Sequence, residues 1–295
     1  MNKDQLEKKL QDLPFFKGNI DLKFFDGLMT NDSYLAYNDN NKYVVKVGGD
    51  KKHFGVIRSN EIEASKAGYK AGISPEIIYY DERILIFQYI HSHTLTPVEM
   101  REKKVLKKII SLIKIVQNKV KNYLKLPHTS NDIFQMLNNK VFHLKEKNSP
   151  YMDKINKFIK HIAIFEKKTQ SFELVFAHND YYHKNILDDG KKLWLVDWEF
   201  SGFNSPLLDL ANVSKNSELS EDEDHYILEE FYGNLLTSSL KYNFQVMKCS
   251  TRLNSALWSM VAEIFAEKVF DYVSYTDTML EKYEKQFDYF NNLKI

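Results

Sequence analysis

Two short segments decide how this sequence is interpreted: His178-Asn179-Asp180-Tyr181-Tyr182-His183-Lys184-Asn185 and, beyond it, Val196-Asp197-Trp198-Glu199. Asp180 is followed five residues later by Asn185 and seventeen residues later by Asp197. In phosphoryl transfer, one carboxylate accepts the proton of the attacking hydroxyl, while an amide and a second carboxylate hold Mg²⁺ against the nucleotide phosphates. The spacing therefore predicts a phosphoryl-transfer site whose catalytic residues are Asp180, Asn185 and Asp197.

The predicted surroundings of the two aspartates fit these roles. Asp180 follows a predicted strand and lies in a loop, where an isolated Asp would more often make a local turn bond. Asp197 lies at the end of an apolar strand, and a buried carboxylate is costly unless a cation or a hydrogen-bond donor compensates it. We therefore expect Asn185 and Asp197 to bind the metal, with Glu199 as a further ligand or outer acceptor rather than a plain surface residue. His178 and Asp209 are expected to brace the loop.

The pattern of apolar residues changes near residue 90. Before it, strands are predicted over 22–25, 34–37, 43–47, 77–80 and 84–88, with one helix over 56–70. After it, the spacing predicts mainly helices: one from the capping box at Thr96–Glu99, one around 155–162 and a long one from about 251, with short strands over 172–177 and 193–198. The sequence thus predicts an α+β fold of two lobes. A small β-rich N-lobe over 1–90 binds nucleotide, and a larger, mostly helical C-lobe over 91–295 carries the catalytic loop, metal site and substrate pocket.

Lys46 is the predicted phosphate-binding cation of the N-lobe. A Lys in a strand can simply extend its ammonium to solvent at a sheet edge. In a phosphoryl-transfer site it would instead reach the α- and β-phosphates and pair with a carboxylate of the following helix. That helix offers Glu61 and Glu63, and we expect Glu61 to be the partner.

Two further segments of the N-lobe are predicted to contact the nucleotide. The turn over 26–33 stands where a phosphate-covering loop belongs, and it offers polar groups at Thr30, Asn31 and Ser33. The crossover between the lobes would supply backbone groups to adenine at Gln88 and Ile90.

Composition limits the class of protein. The sequence has 295 residues, with 41 Lys and Arg against 40 Asp and Glu, and this balance gives no general attraction to nucleic acid or anionic membrane. The single cysteine, Cys249, excludes an internal disulfide and fits a reducing compartment. The polar start and the absence of a long apolar run predict a cytoplasmic protein without a membrane span. The sequence does not indicate an oligomeric state.

Taken together, these segments resemble the choline/ethanolamine kinase family, which belongs to a larger group that includes the aminoglycoside phosphotransferases and shares the protein-kinase fold. The resemblance covers nearly the whole chain. His178–Asn185 is similar to the catalytic loop of the family and 196–202 to its I-D-W-E-Y-A-G segment; softer similarities lie at 27–31, 57–61 and 72–75. The resemblance implies a protein-kinase-like two-lobed fold, ATP and Mg²⁺ as cofactors and transfer of the γ-phosphate to the hydroxyl of choline.

The C-terminal segment bears on the acceptor. Residues 257–261 and 270–275 resemble the choline-kinase segment whose aromatic side chains line the pocket, which implies that Trp258 and Tyr275 face the trimethylammonium group. Helical aromatics more often pack in a core, but a quaternary ammonium does require aromatic faces. The family pattern has a second Trp where Ser255 stands, an acidic residue where Asn216 stands and often a Gln where Tyr182 stands, so Tyr182 could supply an aromatic face to the substrate.

Two alternatives remain open from the sequence. One keeps the fold and changes the acceptor to ethanolamine, another small amino alcohol or an aminoglycoside. The other is a pseudokinase that binds nucleotide without turnover; the complete set of Lys46, Asp180, Asn185 and Asp197 argues against it.

Overall fold

A computed structural model describes residues 3–16, 20–25, 31–38, 41–125, 132–267 and 269–293. Its N-terminal part is a five-stranded antiparallel sheet in the order β1-β2-β3-β5-β4. The strands are β1 (Ile20–Phe24), β2 (Asp32–Asn38), β3 (Asn41–Val47), β4 (Ile77–Tyr80) and β5 (Ile84–Gln88). All five predicted strands are confirmed. Helix α1 (Lys3–Gln11) packs Leu6 and Leu10 into the apolar cluster of this sheet.

Helix α2 (Arg58–Lys70) lies between β3 and β4 in the chain and packs against the C-terminal part of the protein. It begins two residues later than predicted, because Val56 is paired with Lys51 in an isolated bridge and the Arg58 N–H donates to the Asp50 carboxylate at 2.8 Å. Ala64 and Ala67 on its buried face belong to the larger apolar cluster of the C-terminal part. A Cβ at Gly68 would lie 2.8 Å from the Trp198 ring. The absence of a side chain there lets α2 approach the segment that follows Asp197.

The C-terminal part is mainly helical. Its helices are α3 (Lys103–Asn118), α4 (Ile133–Glu146), α5 (Met152–Lys168), α6 (Leu208–Ser217), α7 (Glu221–Tyr232), α8 (Ser238–Phe265) and α9 (Tyr272–Asn291). The capping box at Thr96–Glu99 forms, but it starts only a 3₁₀ turn over Glu99–Arg101, because Glu102 is extended and α3 begins after it. The long helix predicted from about residue 251 begins at Ser238, where the Thr237 hydroxyl caps it by accepting from the Leu240 N–H at 3.2 Å.

Short strands surround the segments that carry the predicted site. They are β6 (His93–Thr94), β7 (Val175–Ala177), β8 (Ile186–Asp188), β9 (Leu193–Leu195) and β10 (Gly202–Asn204). The order is β6-β8-β9 in one sheet, and β10 pairs with β7 in another. The strand predicted over 193–198 ends at Leu195, because Asp197 has a φ of +67° and the residues after it form a 3₁₀ turn. The strand predicted over 172–177 is limited to its last three residues.

Two apolar clusters underlie the two parts of the fold. The smaller one lies between α1 and the N-terminal sheet, and the larger one joins α2 to the helices of the C-terminal part. The predicted α+β fold with a β-rich N-terminal part is confirmed, while the domain boundary at residue 90 stays a prediction. Within the described ranges, none of the helices is long and apolar enough to cross a membrane.

Candidate active site

The predicted catalytic loop after β7 is fixed by Asp209 in the first turn of α6. The two carboxylate oxygens of Asp209 accept the backbone N–H groups of His178 at 3.1 Å and Asn179 at 2.9 Å. The His178 ring is buried, and its Nε2 lies 3.0 Å from the carbonyl oxygen of Val196, the residue before Asp197. Burial lowers the pKa of His178 to about 4, so the ring is neutral and donates from Nε2 to that carbonyl. His178 and Asp209 thus fix the loop, as the sequence predicted.

Asn179 gives the loop its sharp bend. Its φ is +64°, a left-handed conformation that Asn adopts more readily than most residues. The Asn179 side chain donates to the carbonyl of Phe200 at 2.9 Å, and its own carbonyl accepts from Asn212 at 3.0 Å. Because both sides of the bend are bonded to neighbouring elements, the next residue, Asp180, is held in one position.

Asp180 and Asn185 lie in direct contact. The Asn185 Nδ2 donates to the Asp180 Oδ2 at 2.8 Å and to the Asp180 carbonyl at 3.1 Å. Burial raises the pKa of Asp180 to about 6, although the charge of Lys215 and the Asn185 bond lower it and Glu199 raises it. At neutral pH the carboxylate is mostly ionised but more basic than an ordinary Asp. Such a group is suited to accept a proton from a hydroxyl.

Lys46 of β3 lies at the centre of three carboxylates. Its Nζ is 2.6 Å from Glu61 Oε1, 2.5 Å from Asp197 Oδ1 and 3.0 Å from Glu199 Oε2. The predicted pairing of Lys46 with Glu61, rather than Glu63, is therefore present in the structure. Burial lowers the pKa of Lys46, but the three carboxylates outweigh it and hold that pKa above its ordinary value, so the ammonium stays charged.

A second layer orients these carboxylates. The Arg58 guanidinium donates to Glu61 Oε2 and, at 3.2 Å, to the Asn31 Oδ1. The Asn31 Nδ2 donates in turn to Glu199 Oε2 at 2.7 Å. The cluster therefore contains two cationic side chains and three carboxyl groups, and burial raises the pKa of the Asp197 carboxyl to about 7.

The oxygen atoms of this cluster suit a divalent cation. One carboxylate oxygen from each of Glu61, Asp197 and Glu199 lies within 4.8 Å of the others, and hard cations such as Mg²⁺ prefer oxygen ligands. Two of these three residues belong to the predicted metal set. Asn185, the third predicted ligand, uses its amide nitrogen on Asp180, which leaves its amide oxygen as the ligand atom. The residues present thus fit a magnesium ion.

The predicted nucleotide-binding residues are only partly described. Thr30 lies outside the described residues, whereas Asn31 is buried at the carboxylate cluster. Ser33 pairs with Lys46 across the sheet, and its buried hydroxyl has no hydrogen-bond partner among the residues described. At the end of β5, the Gln88 N–H donates to the Glu76 carbonyl at 2.9 Å, and the Ile90 carbonyl accepts from the Ser92 hydroxyl at 3.1 Å. The Gln88 N–H and the Ile90 carbonyl are thus already bonded within the protein.

The aromatic residues predicted for the acceptor pocket include Tyr182 and Tyr275, which lie within electrostatic range of Asp180, and Trp258, which packs on Tyr275. The rings of Trp258 on α8 and Tyr275 on α9 are edge to face, with centroids 6.5 Å apart and an interplanar angle of 87°. Burial raises the pKa of Tyr275 to about 12, with contributions from Tyr182 and Asp180, which lie close enough to act through their charges. Phe54 packs against Trp258 with centroids 5.5 Å apart. The structure therefore brings Tyr182, Trp258 and Tyr275 to the side of the catalytic loop.

One residue of this region was not predicted from the sequence. Lys215, on the buried face of α6, donates its Nζ to the Ser255 hydroxyl at 2.9 Å, one helical turn before Trp258. Ser255 and Asn216 both differ from the family pattern, and Lys215 bonds to the first and precedes the second in sequence. A lysine in an amphipathic helix is normally exposed, so only the unusual Ser255 could have indicated it.

Comparisons with known proteins agree with this geometry. The sequence model of the choline/ethanolamine kinase family matches residues 22–227, a span that includes Lys46, Asp180, Asn185 and Asp197 but ends before Trp258. Protein LicA of Haemophilus influenzae is 25% identical over 260 residues, which cover 83% of this chain and 75% of the relative.

Solved structures show the same fold. Choline kinase LicA from Streptococcus pneumoniae matches with a TM-score of 0.77 at 20% identity, covering 96% of this chain and 99% of that one. An ethanolamine kinase from Plasmodium vivax matches with a TM-score of 0.78 at 16% identity, covering 97% and 89%. The fold is thus protein-kinase-like. Since the family match spans most of the sequence and includes its catalytic loop, this small-molecule kinase belongs to the choline/ethanolamine kinase family.

Proposed function

We propose that the protein transfers the γ-phosphoryl group of ATP to the hydroxyl of choline, producing phosphocholine and ADP. The observation that carries this proposal is that Tyr275 lies within electrostatic range of Asp180 and packs edge to face with Trp258. Choline has an ammonium group at one end and a hydroxyl at the other, and the proposed pocket has a binding group for each. Aromatic faces attract a quaternary ammonium, and a basic carboxylate receives the hydroxyl proton.

Asp180 is the proposed base. Its pKa of about 6 keeps it ionised at neutral pH while making it a better proton acceptor than an ordinary carboxylate. The Asn185 amide, bonded to Asp180 Oδ2, fixes the direction of the free lone pairs of that carboxylate. Asp180 thereby orients the acceptor oxygen for attack and removes its proton.

Asn185 and Asp197, with Glu199, are the proposed magnesium ligands. The bound ion would neutralise charge on the transferring phosphoryl group. Lys46, fixed by Glu61, is the proposed clamp on the α- and β-phosphates. The Lys46 ammonium contacts both Glu61 and Asp197. A phosphate bound to Lys46 would therefore lie next to a proposed metal ligand.

The proposed nucleotide site follows the edge of the N-terminal sheet. Thr30, Asn31 and Ser33 would serve the phosphates, and the unpartnered Ser33 hydroxyl beside Lys46 supports this assignment. Gln88 and Ile90 would serve adenine. This arrangement agrees with the proposed division into a nucleotide-binding lobe over 1–90 and a substrate-binding lobe over 91–295. We assign the reaction to the cytoplasm because ATP and the free thiol of Cys249 both suit that compartment.

The test is an ADP-release assay with ATP and Mg²⁺ that compares choline, ethanolamine and kanamycin at matched concentrations. We expect the highest kcat/KM with choline, because only choline presents a full trimethylammonium face to the aromatic residues. A clear preference for ethanolamine or kanamycin would keep the roles of Asp180 and Asp197 and replace the acceptor. ATP binding without ADP release on these three would leave another acceptor or the pseudokinase, and the same result over a broad panel of acceptors would favour the pseudokinase.

A further inference from the structure

Lys215 is a buried lysine that forms no salt bridge with the described residues. Its exposure is 9%, and its Nζ donates to a neutral partner, the Ser255 hydroxyl, at 2.9 Å. No carboxylate in the described ranges comes within 4.0 Å of that Nζ. A buried ammonium without a close counter-charge is costly, so a position of this kind requires an explanation.

The position of Lys215 places it at the acceptor pocket. Ser255, its partner on α8, precedes Trp258 by three residues, and residues at this spacing are neighbours on one helix face. Asn216, the next residue on α6, donates to the Tyr181 carbonyl of the catalytic loop at 3.0 Å. Lys215 therefore lies between the catalytic loop and the helix that carries Trp258.

The charges around Lys215 do not neutralise it. The charged groups that face it from the packed elements are Asp180 of the catalytic loop, Glu218 at the end of α6, Arg252 of α8 and Lys282 of α9. Glu218 already pairs with Arg252 at 2.6 Å and Lys282 at 2.8 Å. Burial lowers the pKa of Lys215 to about 8; Asp180 and Glu218 raise that pKa, while Arg252 and Lys282 lower it.

We propose that Lys215 is a specificity-determining residue whose positive charge opposes that of the acceptor cation in the pocket beside Asp180, so that a quaternary ammonium binds tightly only when the Lys215 side chain is neutral. The inference rests on the proposed function, since it assigns a cationic acceptor to the pocket. Two ammonium groups beside one carboxylate leave an excess of positive charge in a desolvated space. Releasing the proton of Lys215 removes that excess and keeps the hydrogen bond with Ser255, because a neutral amine and a hydroxyl still bond to each other.

The consequence is a pH-dependent affinity for the acceptor. With a Lys215 pKa of about 8, about one molecule in ten carries the neutral side chain at pH 7 and nearly all do at pH 9. Choline should therefore bind about tenfold more tightly at pH 9 than at pH 7, and binding at pH 7 should release close to one proton. A role in packing alone would produce neither effect.

The test is titration calorimetry of the full-length protein with choline at pH 7 and pH 9, in pairs of buffers that differ in ionisation enthalpy. Lys215→Met removes the charge, and Ser255 keeps its bond to the Thr251 carbonyl at 3.2 Å. Lys215→Arg keeps the charge at every pH, because guanidinium does not lose its proton. Lys285→Met, which removes a lysine with 75% side-chain exposure paired with Glu281, is the matched control.

We expect Lys215→Met to bind choline tightly at both pH values and Lys215→Arg to bind it weakly at both. The wild-type protein should bind choline weakly at pH 7 and tightly at pH 9. Proton release should be lost in both Lys215 variants and retained in Lys285→Met. Choline turnover with equal proton release in wild type and Lys215→Met would overturn the inference and leave the proposed function standing. The absence of both choline binding and choline turnover in wild type and Lys215→Met would overturn both.

Discussion

The Nζ of Lys46 and the Oδ1 of Asp197 lie 2.5 Å apart, although 151 residues separate them in the sequence. This salt bridge joins β3 of the N-terminal sheet to the segment after β9. Asp197 has a left-handed backbone conformation, with a φ of +67°, which turns the chain out of its strand just where the carboxylate meets the lysine. In the proposed reaction both residues serve the same phosphates, so nucleotide and metal would enter between them.

Replacing Asp197 should abolish turnover without unfolding the protein. In Asp197→Ala the Lys46 ammonium keeps Glu61 and Glu199 as partners, so no buried cation is left alone. The loss of a metal ligand should lower kcat by about a hundredfold or more, as for other groups that stabilise charge in the transition state. Steady-state ADP release and thermal unfolding would be measured on the same preparation.

The control for this variant is Asp189→Asn, which changes a turn carboxylate bonded to the Trp194 indole, away from the carboxylate cluster. Near-wild-type kcat in Asp197→Ala would exclude Asp197 from metal binding. A large loss in Asp189→Asn would show that the assay reports general damage.

Ser33→Ala should separate nucleotide binding from stability. The buried Ser33 hydroxyl has no partner in the described part of the chain, so its removal should leave the melting temperature unchanged or raise it slightly. If this hydroxyl donates to a phosphate, its loss should raise the KM for ATP by about two- to tenfold, the value of an ordinary hydrogen bond.

Ser74→Ala is the matched control, because it removes an equally buried hydroxyl that is fully bonded. The Ser74 hydroxyl donates to the Leu195 carbonyl at 2.8 Å and accepts from the Trp198 indole at 2.9 Å. Ser74→Ala should lower the melting temperature and leave the KM for ATP unchanged. An unchanged KM for ATP in Ser33→Ala would remove Ser33 from the proposed phosphate site.

The strands of the N-terminal sheet and the proximity of the candidate site residues were predictable from sequence for a local reason. Strands β4 and β5 have the predicted bounds because turn residues at 81–83 separate two apolar runs. Short loops connect the segments that carry Asp180, Asn185 and Asp197. Their spacing in sequence therefore limits how far apart they can lie in the structure. The pairing of Lys46 with Glu61 was predictable for the same reason, because β3 and α2, which carry them, are consecutive along the chain.

The residues that escaped prediction depend on contacts between distant elements. Lys215 and Ser255 are forty residues apart and meet only because α6 packs against α8. The first half of α8, before residue 251, buries Phe244 and Met247, yet its many polar residues obscured that face in the sequence. Burial of a polar side chain is decided by tertiary packing, which a local pattern does not contain.

The acid side of the pH–rate profile should report Asp180. Burial raises the pKa of this carboxyl to about 6, and the base must be ionised. In wild type, kcat/KM for choline should therefore fall first as Lys215 gains its proton near pH 8 and again as Asp180 gains its proton near pH 6. Since the charge of Lys215 lowers the Asp180 pKa, the Lys215→Met variant should show a single acid limb with its midpoint above 6. An acid limb near the ordinary Asp value in both proteins would contradict the assignment.

The matched variant for this profile is Asp180→Asn in the Lys215→Met background. It removes the titrating group while retaining the size and the hydrogen-bonding ability of the side chain. Turnover should fall by about 10²- to 10⁴-fold, the usual contribution of general base catalysis, and the residual rate should lose its acid limb.

Trp258→Ala should weaken the binding of choline more than it slows the reaction. The indole packs against Tyr275 and Phe54 on the proposed acceptor side, so the KM for choline should rise while kcat changes little. A cation–π contact contributes about 0.5–2 kcal/mol, which corresponds to a rise in KM of about two- to thirtyfold.

The charge of the acceptor distinguishes a cation–π contact from simple packing. The neutral alcohol 3,3-dimethylbutan-1-ol has the shape of choline with carbon in place of nitrogen, so it loses the electrostatic attraction to the ring and keeps the apolar contact. Its KM should therefore be less sensitive to Trp258→Phe than the KM for choline, because indole is the better cation partner and both rings fill the pocket. Equal changes for the two alcohols would mean that Trp258 acts by packing, with Phe54 and Tyr275, rather than by binding charge.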